Sequence, residues 1–147
     1  MYITNCTFAH NASRHFACAI MNSGSLTIAN TLLDSNLLAV GPNNNVWAGV
    51  GINKQSGLTD GGGNLEYPAI YLNGSWTDSW LTEHPGVALT DPALLSLSNN
   101  GGPTKTMEIL AGSSAVNGGT KTHAPLTDQR GITRTDTVDI GAYEYVP

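Results

Sequence analysis

Short apolar stretches separated by turns rich in asparagine and glycine run through the first part of the chain, and one stretch occurs twice. Residues 2–11 read YITNCTFAHN and residues 27–36 read TIANTLLDSN. Alignment of Ile3 with Ile28 gives an offset of 25 residues, a period typical of a solenoid coil. The same alignment pairs Asn5 with Asn30, Thr7 with Leu32, Phe8 with Leu33 and Asn11 with Asn36.

Such a repeat predicts parallel β-strands, because equivalent positions of successive coils then lie about 4.8 Å apart. Isoleucine above isoleucine and phenylalanine above leucine would build a continuous apolar core. Asn5 above Asn30 would form a ladder in which one side-chain amide donates to the next. A third coil is predicted from Val46 through Ile52, and the glycines and Asn64 of residues 61–65 predict a further corner.

The predicted fold is all-β: a short right-handed parallel β-helix in one domain, with regular coils over residues 1–65. Residues 66–90 interrupt the repeat and predict an aromatic-rich insertion. Residues 91–147 predict an irregular C-terminal cap. Within the cap we expect a short helical turn at Asp91-Pro92, burial of Leu94, Leu95 and Leu97, and a closing strand that contains Ile140, Ala142, Tyr143 and Tyr145.

Composition agrees with turn-rich β-structure and excludes several classes of partner. Charged residues make up 12% of the 147 residues, about half of the usual ~25%. The net charge is -5 without a lysine or arginine cluster, so nucleic acid is not an expected partner. No apolar run of ~18 residues predicts a membrane span, and the first residues lack a signal-peptide pattern.

Three motifs in the last third of the chain carry a resemblance to a known family. They are Asn-Gly-Gly-Pro-Thr at 100–104, Thr-Asp-Gln-Arg-Gly at 127–131 and Asp-Ile-Gly-Ala-Tyr-Glu at 139–144. In this order they resemble the C-terminal part of bacterial surface proteins of the choice-of-anchor type, which are pectate-lyase-like right-handed parallel β-helices. Residues 111–116 match another family segment, with Ser114 in place of a proline. The resemblance implies an extracellular or cell-surface location.

The charged residues of these motifs favour a structural role over a catalytic one. Asp128 is predicted to cap a turn, and Arg130 to form a charge-assisted bond with Asp139 or Glu144. The four residues would then form a clasp in the cap. We expect the loss of Arg130 to damage folding most.

No sequence pattern predicts a metal or another cofactor. The four histidines have no metal-ligand spacing, and an exposed pair is favoured over a metal site for His10 and His15. Calcium stays open as an alternative that no motif supports. Two small buried residues are favoured over a disulfide for Cys6 and Cys18.

The sequence favours a non-catalytic module that binds a polysaccharide or a cell-surface glycan. Trp76 and Trp80, with Tyr71 and Asp78 nearby, are the expected contacts, because aromatic faces stack on sugar rings. Packing of both tryptophans onto the coils is the competing interpretation. An alternative function is a polysaccharide lyase or glycoside hydrolase that uses Asp34 or Asp60 in a groove on the coils.

A third interpretation treats the chain as the purely structural terminal cap of a longer adhesin. The first coil starts at once with Met1-Tyr2-Ile3 and shows no capping helix. An uncovered strand edge invites pairing. We therefore expect either missing upstream coils or stacking with another chain, and the former is favoured.

Overall fold

A computed structural model describes residues 1–13, 19–22, 24–39, 45–47, 50–52, 57–68 and 86–147. This part of the chain is all-β, with eleven short strands and no helix, so none of its elements is a helix that could cross a membrane. The strands are β1 Tyr2–Thr4, β2 Thr7–Ala9, β3 Ala12–Ser13, β4 Ile20–Asn22, β5 Leu26–Ala29, β6 Leu32–Asp34, β7 Leu37–Ala39, β8 Asn45–Trp47, β9 Val50–Ile52, β10 Leu58–Asp60 and β11 Leu65–Tyr67.

Most of the strands pair in parallel. The first sheet has the order β1-β5-β10 and the second sheet the order β2-β6-β11, and every pair within them is parallel. β3 and β4 pair in parallel with β7 and β9, whereas β8 runs antiparallel to β7. The predicted third coil at residues 46–52 is therefore wrong in part, because β8 turns back along β7 instead of continuing the parallel order.

A strand–corner–strand unit occurs three times in the first two sheets. Unit 1 consists of β1 and β2, unit 2 of β5 and β6, and unit 3 of β10 and β11. Units 1 and 2 pair Ile3 with Ile28 and Phe8 with Leu33, which confirms the register predicted from the 25-residue repeat. The corner of unit 3 is one residue longer, because Asp60 pairs with Ile28 but Leu65 pairs with Leu32.

Apolar side chains pack on both faces of the second sheet. The inner cluster comprises Ile20, Leu26, Ile28 and Leu33, with Ile3 and Phe8 at its margin. The outer cluster comprises Leu32, Leu65, Ile109, Ala115, Ile140 and Tyr143. Successive side chains of a strand point to opposite faces, so β6 contributes Leu33 to the inner cluster and Leu32 to the outer one. Both leucines are fully buried.

The tail, residues 86–147, supplies the far side of the outer cluster. It begins by extending the second sheet, since Glu66 N donates to Ala88 O and Ala88 N donates to Asn64 O, both at 3.0 Å. Beyond Ala88 the tail forms only isolated bridges, at Ser98–Thr106 and Thr127–Thr133. Loops, rather than strands, therefore cover the outer face of the second sheet.

Several expectations for the tail are wrong. No helical turn follows Asp91; its carboxylate accepts a hydrogen bond from Ala93 N at 2.7 Å in a local turn. Leu95 and Leu97 are 41% and 59% exposed, whereas Leu94 is partly buried against the outer cluster. The outer face is covered by Leu94 together with side chains from later in the tail, such as Ile109 and Ile140, and not by the other two leucines.

The segment expected to form a closing strand, residues 140–145, is irregular. Its backbone donors have partners in separate places: Ile140 N donates to Ala115 O, and Gly141 N donates to Asn30 O, both at 2.9 Å. Gly141 has a φ of 101°, a conformation that glycine adopts without strain. The segment is thus fixed by contacts with the outer face and with a corner, not by pairing along a strand.

Candidate functional site

The corner of unit 2 is where the tail binds the strands. Asn30 Nδ2 donates to Thr120 O at 2.7 Å, and Thr120 N donates to Asn30 Oδ1 at 2.7 Å. The backbone carbonyl of Asn30 also accepts the bond from Gly141 N. One buried asparagine therefore holds two separate segments of the tail.

The corners of units 1 and 2 are linked by the predicted asparagine ladder, which is confirmed. Asn30 Nδ2 donates to Asn5 Oδ1 at 3.1 Å, and Asn5 Nδ2 donates to the backbone carbonyl of Asp139 at 3.2 Å. Both asparagines have a φ of 48°. Asparagine tolerates this left-handed conformation better than most residues, because its short polar side chain bonds locally.

The corner of unit 3 uses glycine where the other units use asparagine. Gly63 has a φ of 64°, and a Cβ at this position would lie 3.0 Å from Gly119 Cα in the tail. The next residue, Asn64, bonds backward to unit 2: it accepts from Thr31 N and donates to Ile28 O, both at 2.9 Å. The tail thus contacts the corners of all three units.

Asp128 is the centre of the charged residues in the tail. Its carboxylate accepts hydrogen bonds from the backbone N–H groups of Arg130, Ile132 and Glu144, at 2.8 to 3.0 Å. The Arg130 side chain adds Nε and Nη2, both 2.8 Å from Oδ2. Burial alone would raise the pKa of Asp128, but the N–H donors, that of Glu144 foremost, and the Arg130 guanidinium bring it below its ordinary value.

Arg130 does not pair with the side-chain carboxylate that the sequence assigned to it. Its carboxylate partner is Asp128, two residues away, and its second contact is the backbone carbonyl of Glu144, 2.5 Å from Nη2. The guanidinium carbon lies 3.5 Å from the centre of the Tyr143 ring. The guanidinium binds Asp128 through two nitrogens and stacks on Tyr143 at the same time, a combination that a lysine ammonium does not offer.

Arg134, which the sequence did not single out, pairs with Glu144. Nη1 lies 2.5 Å from Glu144 Oε2, and Nη2 donates to Gly141 O at 2.8 Å. The arginine side chain is 2% exposed. Burial raises the pKa of Glu144, while the Asp139 N–H and the Arg134 charge act against that rise. Nothing in the surrounding sequence, Thr133-Arg134-Thr135, distinguishes this arginine from an exposed one.

Asp139 completes the group of buried charges. One carboxylate oxygen accepts from Asn117 N at 2.7 Å and the other from Tyr145 N at 2.5 Å. Asp128, Arg130, Arg134, Asp139 and Glu144 are named the tail clasp below. The carboxylates of Asp128 and Asp139 accept N–H groups from residues 16 and 22 positions away, so the clasp fixes the path of loops that have little pairing of their own.

The two candidate catalytic carboxylates lie on opposite faces. Asp34 follows Leu32 by two residues on the outer side of the second sheet, whereas Asp60 is in register with Ile28 on the inner side of the first sheet. Asp60 accepts hydrogen bonds from Gly62 N and Asn64 Nδ2. A catalytic role for Asp34 or Asp60 in a groove on the coils stays a prediction.

Asp34 is the buried carboxylate of the outer face. Its Oδ1 accepts from Ser35 Oγ at 2.8 Å. Burial raises the pKa of Asp34, and the charge of Asp91 adds to the rise, while the Ser35 bond and His10 oppose it. A carboxyl with a raised pKa is one mark of a catalytic acid, but a buried structural residue shows the same shift.

The proposed glycan contacts, Trp76, Trp80, Tyr71 and Asp78, lie outside the described residues, as do Cys18, His15 and His84. Cys6 is a free thiol whose Sγ donates to Thr4 O at 3.3 Å, and burial raises its pKa. Within the described ranges, no three His, Cys, Asp or Glu residues are grouped as metal ligands. The ring of His123 instead lies 5.5 Å from that of Tyr2.

Comparisons with known proteins add no assignment: no family model, no curated protein and no solved structure matches this chain.

Proposed function

We propose that this chain is a non-catalytic module of an extracellular bacterial surface protein, and that its strands form a short right-handed parallel β-helix. The architecture is supported by the three units, which stack in register through two parallel sheets. Right-handed connection is the general rule between parallel strands. The parallel pairing of β4 with β9 supports a further sheet along the coils.

The observation that carries the non-catalytic assignment is the use of the charged residues. The side chains of Asp128 and Arg134 are 0% and 2% exposed, and their partners are other clasp residues and backbone groups. A catalytic acid or base must reach a substrate. These groups are committed to the internal structure of the tail, which favours support over chemistry.

Glycan binding is the specific activity that we assign to the module. It rests on Trp76, Trp80, Tyr71 and Asp78, because aromatic side chains close together in sequence suit sugar rings and a nearby carboxylate suits hydroxyl groups. The proposed ligand is therefore a polysaccharide of a cell surface or cell wall, bound without a cofactor.

Affinity electrophoresis tests this assignment. The wild-type protein and a Trp76→Ala/Trp80→Ala variant are run through gels that contain xylan, pectin, glucan or alginate. Tyr2→Ala is the matched control, because Tyr2 is an exposed aromatic residue of β1, far from these residues in sequence. Retardation that only the double variant loses supports the proposal. Free migration of the wild-type protein in every gel contradicts it.

A purely structural function is the second candidate, and the position of the tail favours it. The tail bonds to the corners of all three units and extends the second sheet at Ala88, as expected of a segment that completes a stack of strands. On this view the module supports a longer surface protein without a ligand of its own. Absence of glycan retardation, with normal folding, is the result that this candidate predicts.

A further inference from the structure

We propose that the exposed edge of unit 1 is a docking surface for one more strand–corner–strand unit, supplied by a polypeptide segment with asparagine at its corner. Such docking depends on strand pairing, hydrogen bonding and apolar burial, and it is independent of glycan binding. Four features of the edge support it: incomplete burial, incomplete asparagine ladders, outward backbone N–H groups and a cavity beside β2.

Burial differs between equivalent residues of units 1 and 2. Ile28 and Leu33, in the unit with neighbours on both sides, are each 0% exposed. Their partners in unit 1, Ile3 and Phe8, lie at the margin of the same inner cluster and remain half-buried. One more unit in the same register would cover both residues as unit 1 covers its neighbour.

The ladder at Asn5 has an open donor. Asn30 uses its two Nδ2 hydrogens for the adjacent asparagine and for a tail carbonyl, Thr120 O. Asn5 makes the equivalent tail bond to Asp139 O, but among the described residues its second hydrogen has no acceptor. The Oδ1 atom of an asparagine one unit further along would complete the pattern.

A second ladder ends at the same edge with an open acceptor. Asn36 Oδ1 accepts both the backbone N–H and Nδ2 of Asn11, and Asn36 Nδ2 donates to Phe8 O. Asn11 is exposed, and no described group donates to its Oδ1. The two ladders together require asparagine at two corners of the incoming unit. The edge therefore selects a particular sequence and does not simply favour nonspecific association.

Backbone groups and space are also available along this edge. Asn5 N and His10 N donate inward to Ala29 O and Asp34 O, so alternation turns the N–H groups of Thr4 and Ala9 outward. A cavity of about 290 Å³ borders β2, between residues 7–11 and the tail around Leu97 and Lys105. Strands that lie at such an edge of a sheet can pair with another strand through their main-chain N–H and C=O groups.

A second copy of this chain fits the edge less well than a further unit does. The strand of a second copy that could continue the order beyond β1 is β10. In the corner that follows it, Asn64 is already bonded inward to Thr31 N and Ile28 O, and glycines stand at residues 61–63. The outer edge of β11 is already hydrogen-bonded to Ala88. We therefore expect the edge of unit 1 to bind a strand–corner–strand unit with the sequence pattern of residues 1–25, and not another molecule of the same chain.

Duplication of the repeat tests the proposal. A copy of residues 1–25 is placed directly before Met1 of the full chain, so that the added asparagines stand one 25-residue period upstream of Asn5 and Asn11. The matched control carries Asn5→Gly and Asn11→Ala in the added copy only. Glycine accepts the positive φ found at Asn5, Asn11 has no positive φ, and both changes remove the carboxamide. Amide exchange is measured by NMR, together with the urea midpoint and m value.

We expect exchange at Thr4 and Ala9 to slow at least tenfold in the duplicated protein, with a higher m value, and the control to lose most of that protection. Unchanged exchange at these amides, with the rest of the protein folded, overturns the proposal. Equal protection in the control overturns the asparagine requirement. Sedimentation velocity covers the remaining case: wild-type dimers that protect Thr4 would show that the occupant is a second copy, against the proposal.

Discussion

The three units and the tail pack against each other around Leu32, yet they are held in place by different chemistry. In the units, apolar side chains such as Ile28 and Leu33 stack in register, and asparagines satisfy the corners. In the tail, order depends on ionised side chains such as Asp128 and Arg134, which gather backbone groups from distant loops. A repeat can satisfy its backbone by strand pairing, whereas irregular loops need side chains to do so.

This difference predicts in which region a substitution should cost more stability. In the units the loss of one side chain leaves the strand pairing intact and removes local packing. In the tail the loss of one charge leaves a buried partner and several backbone donors unsatisfied, which costs more. Substitutions in both regions test this difference in cost, and the largest effect on stability is expected in the tail.

Arg134→Met should lower the free energy of unfolding by about 3–5 kcal/mol, because it leaves the Glu144 carboxylate buried without its charged partner. Equilibrium urea unfolding measures the change. Asp136→Asn is the control: the Lys121–Asp136 pair lies at the surface and should leave the urea midpoint unchanged. An Arg134→Met protein as stable as the wild type would remove the basis for the tail clasp.

Leu32→Ala should cost roughly 2–5 kcal/mol, since it opens a cavity where unit 2 and the tail meet. Leu126→Ala serves as the control because Leu126 is 86% exposed. Urea unfolding followed by far-UV circular dichroism should yield a single cooperative transition. Two separate transitions would mean that the tail and the units unfold independently, which would contradict their joint packing around Leu32.

Asn30→Ala should lower the free energy of unfolding by roughly 2–3 kcal/mol. The substitution removes the hydrogen-bond partner of Thr120 N and Thr120 O, and it imposes a positive φ on alanine. Asn30→Gly keeps the backbone freedom and removes only the carboxamide. The gap between the two variants, expected at about 1 kcal/mol, isolates the conformational term. Equal stabilities for both variants would show that the corner conformation is not under strain.

The pH dependence should have opposite signs at Asp34 in unit 2 and at Asp128 in the tail. The depressed pKa of Asp128 provides stability that is present above the unfolded value of ~3.9 and is lost as the pH falls through the folded one. The raised pKa of Asp34 does the reverse, since its charged form is disfavoured in the folded state.

Relative to the wild type, Asp34→Asn should therefore gain stability as the pH rises from ~3.9 toward neutrality, and Asp128→Asn should lose it. Urea midpoints measured from pH 3 to pH 8 provide both slopes. If the stability of both variants changed with pH in the same direction relative to the wild type, burial would not be the dominant effect on the pKa of Asp34, or hydrogen bonding not that on the pKa of Asp128.

The repeat could be predicted from the sequence because its signal is local. Residues 2–11 and 27–36 carry apolar residues and asparagines at equivalent positions, and a parallel register follows directly from that match. The corner of unit 3 was also found from its glycines and Asn64. The inserted residue at that corner was not, because the pattern of strand residues does not reveal corner length.

The tail was harder to predict because its contacts join residues far apart in the sequence. Asn5 bonds to Asp139, and Asn30 to Thr120, across loops without a periodic pattern. Arg130 was correctly found in a motif, but its partner was assigned by charge alone. The choice between Arg130 and Arg134 as the partner of Glu144 depends on loop geometry that no local pattern encodes.

Native-state amide exchange of the wild-type protein tests the central claim most directly: that corner asparagines and the clasp bind the tail to the strands as one structure. We predict that the Thr120, Gly141 and Glu144 amides exchange as slowly as those of Asn30 and Leu32, through the same global opening. Rapid exchange of the three tail amides, with Asn30 and Leu32 still protected, would contradict that claim.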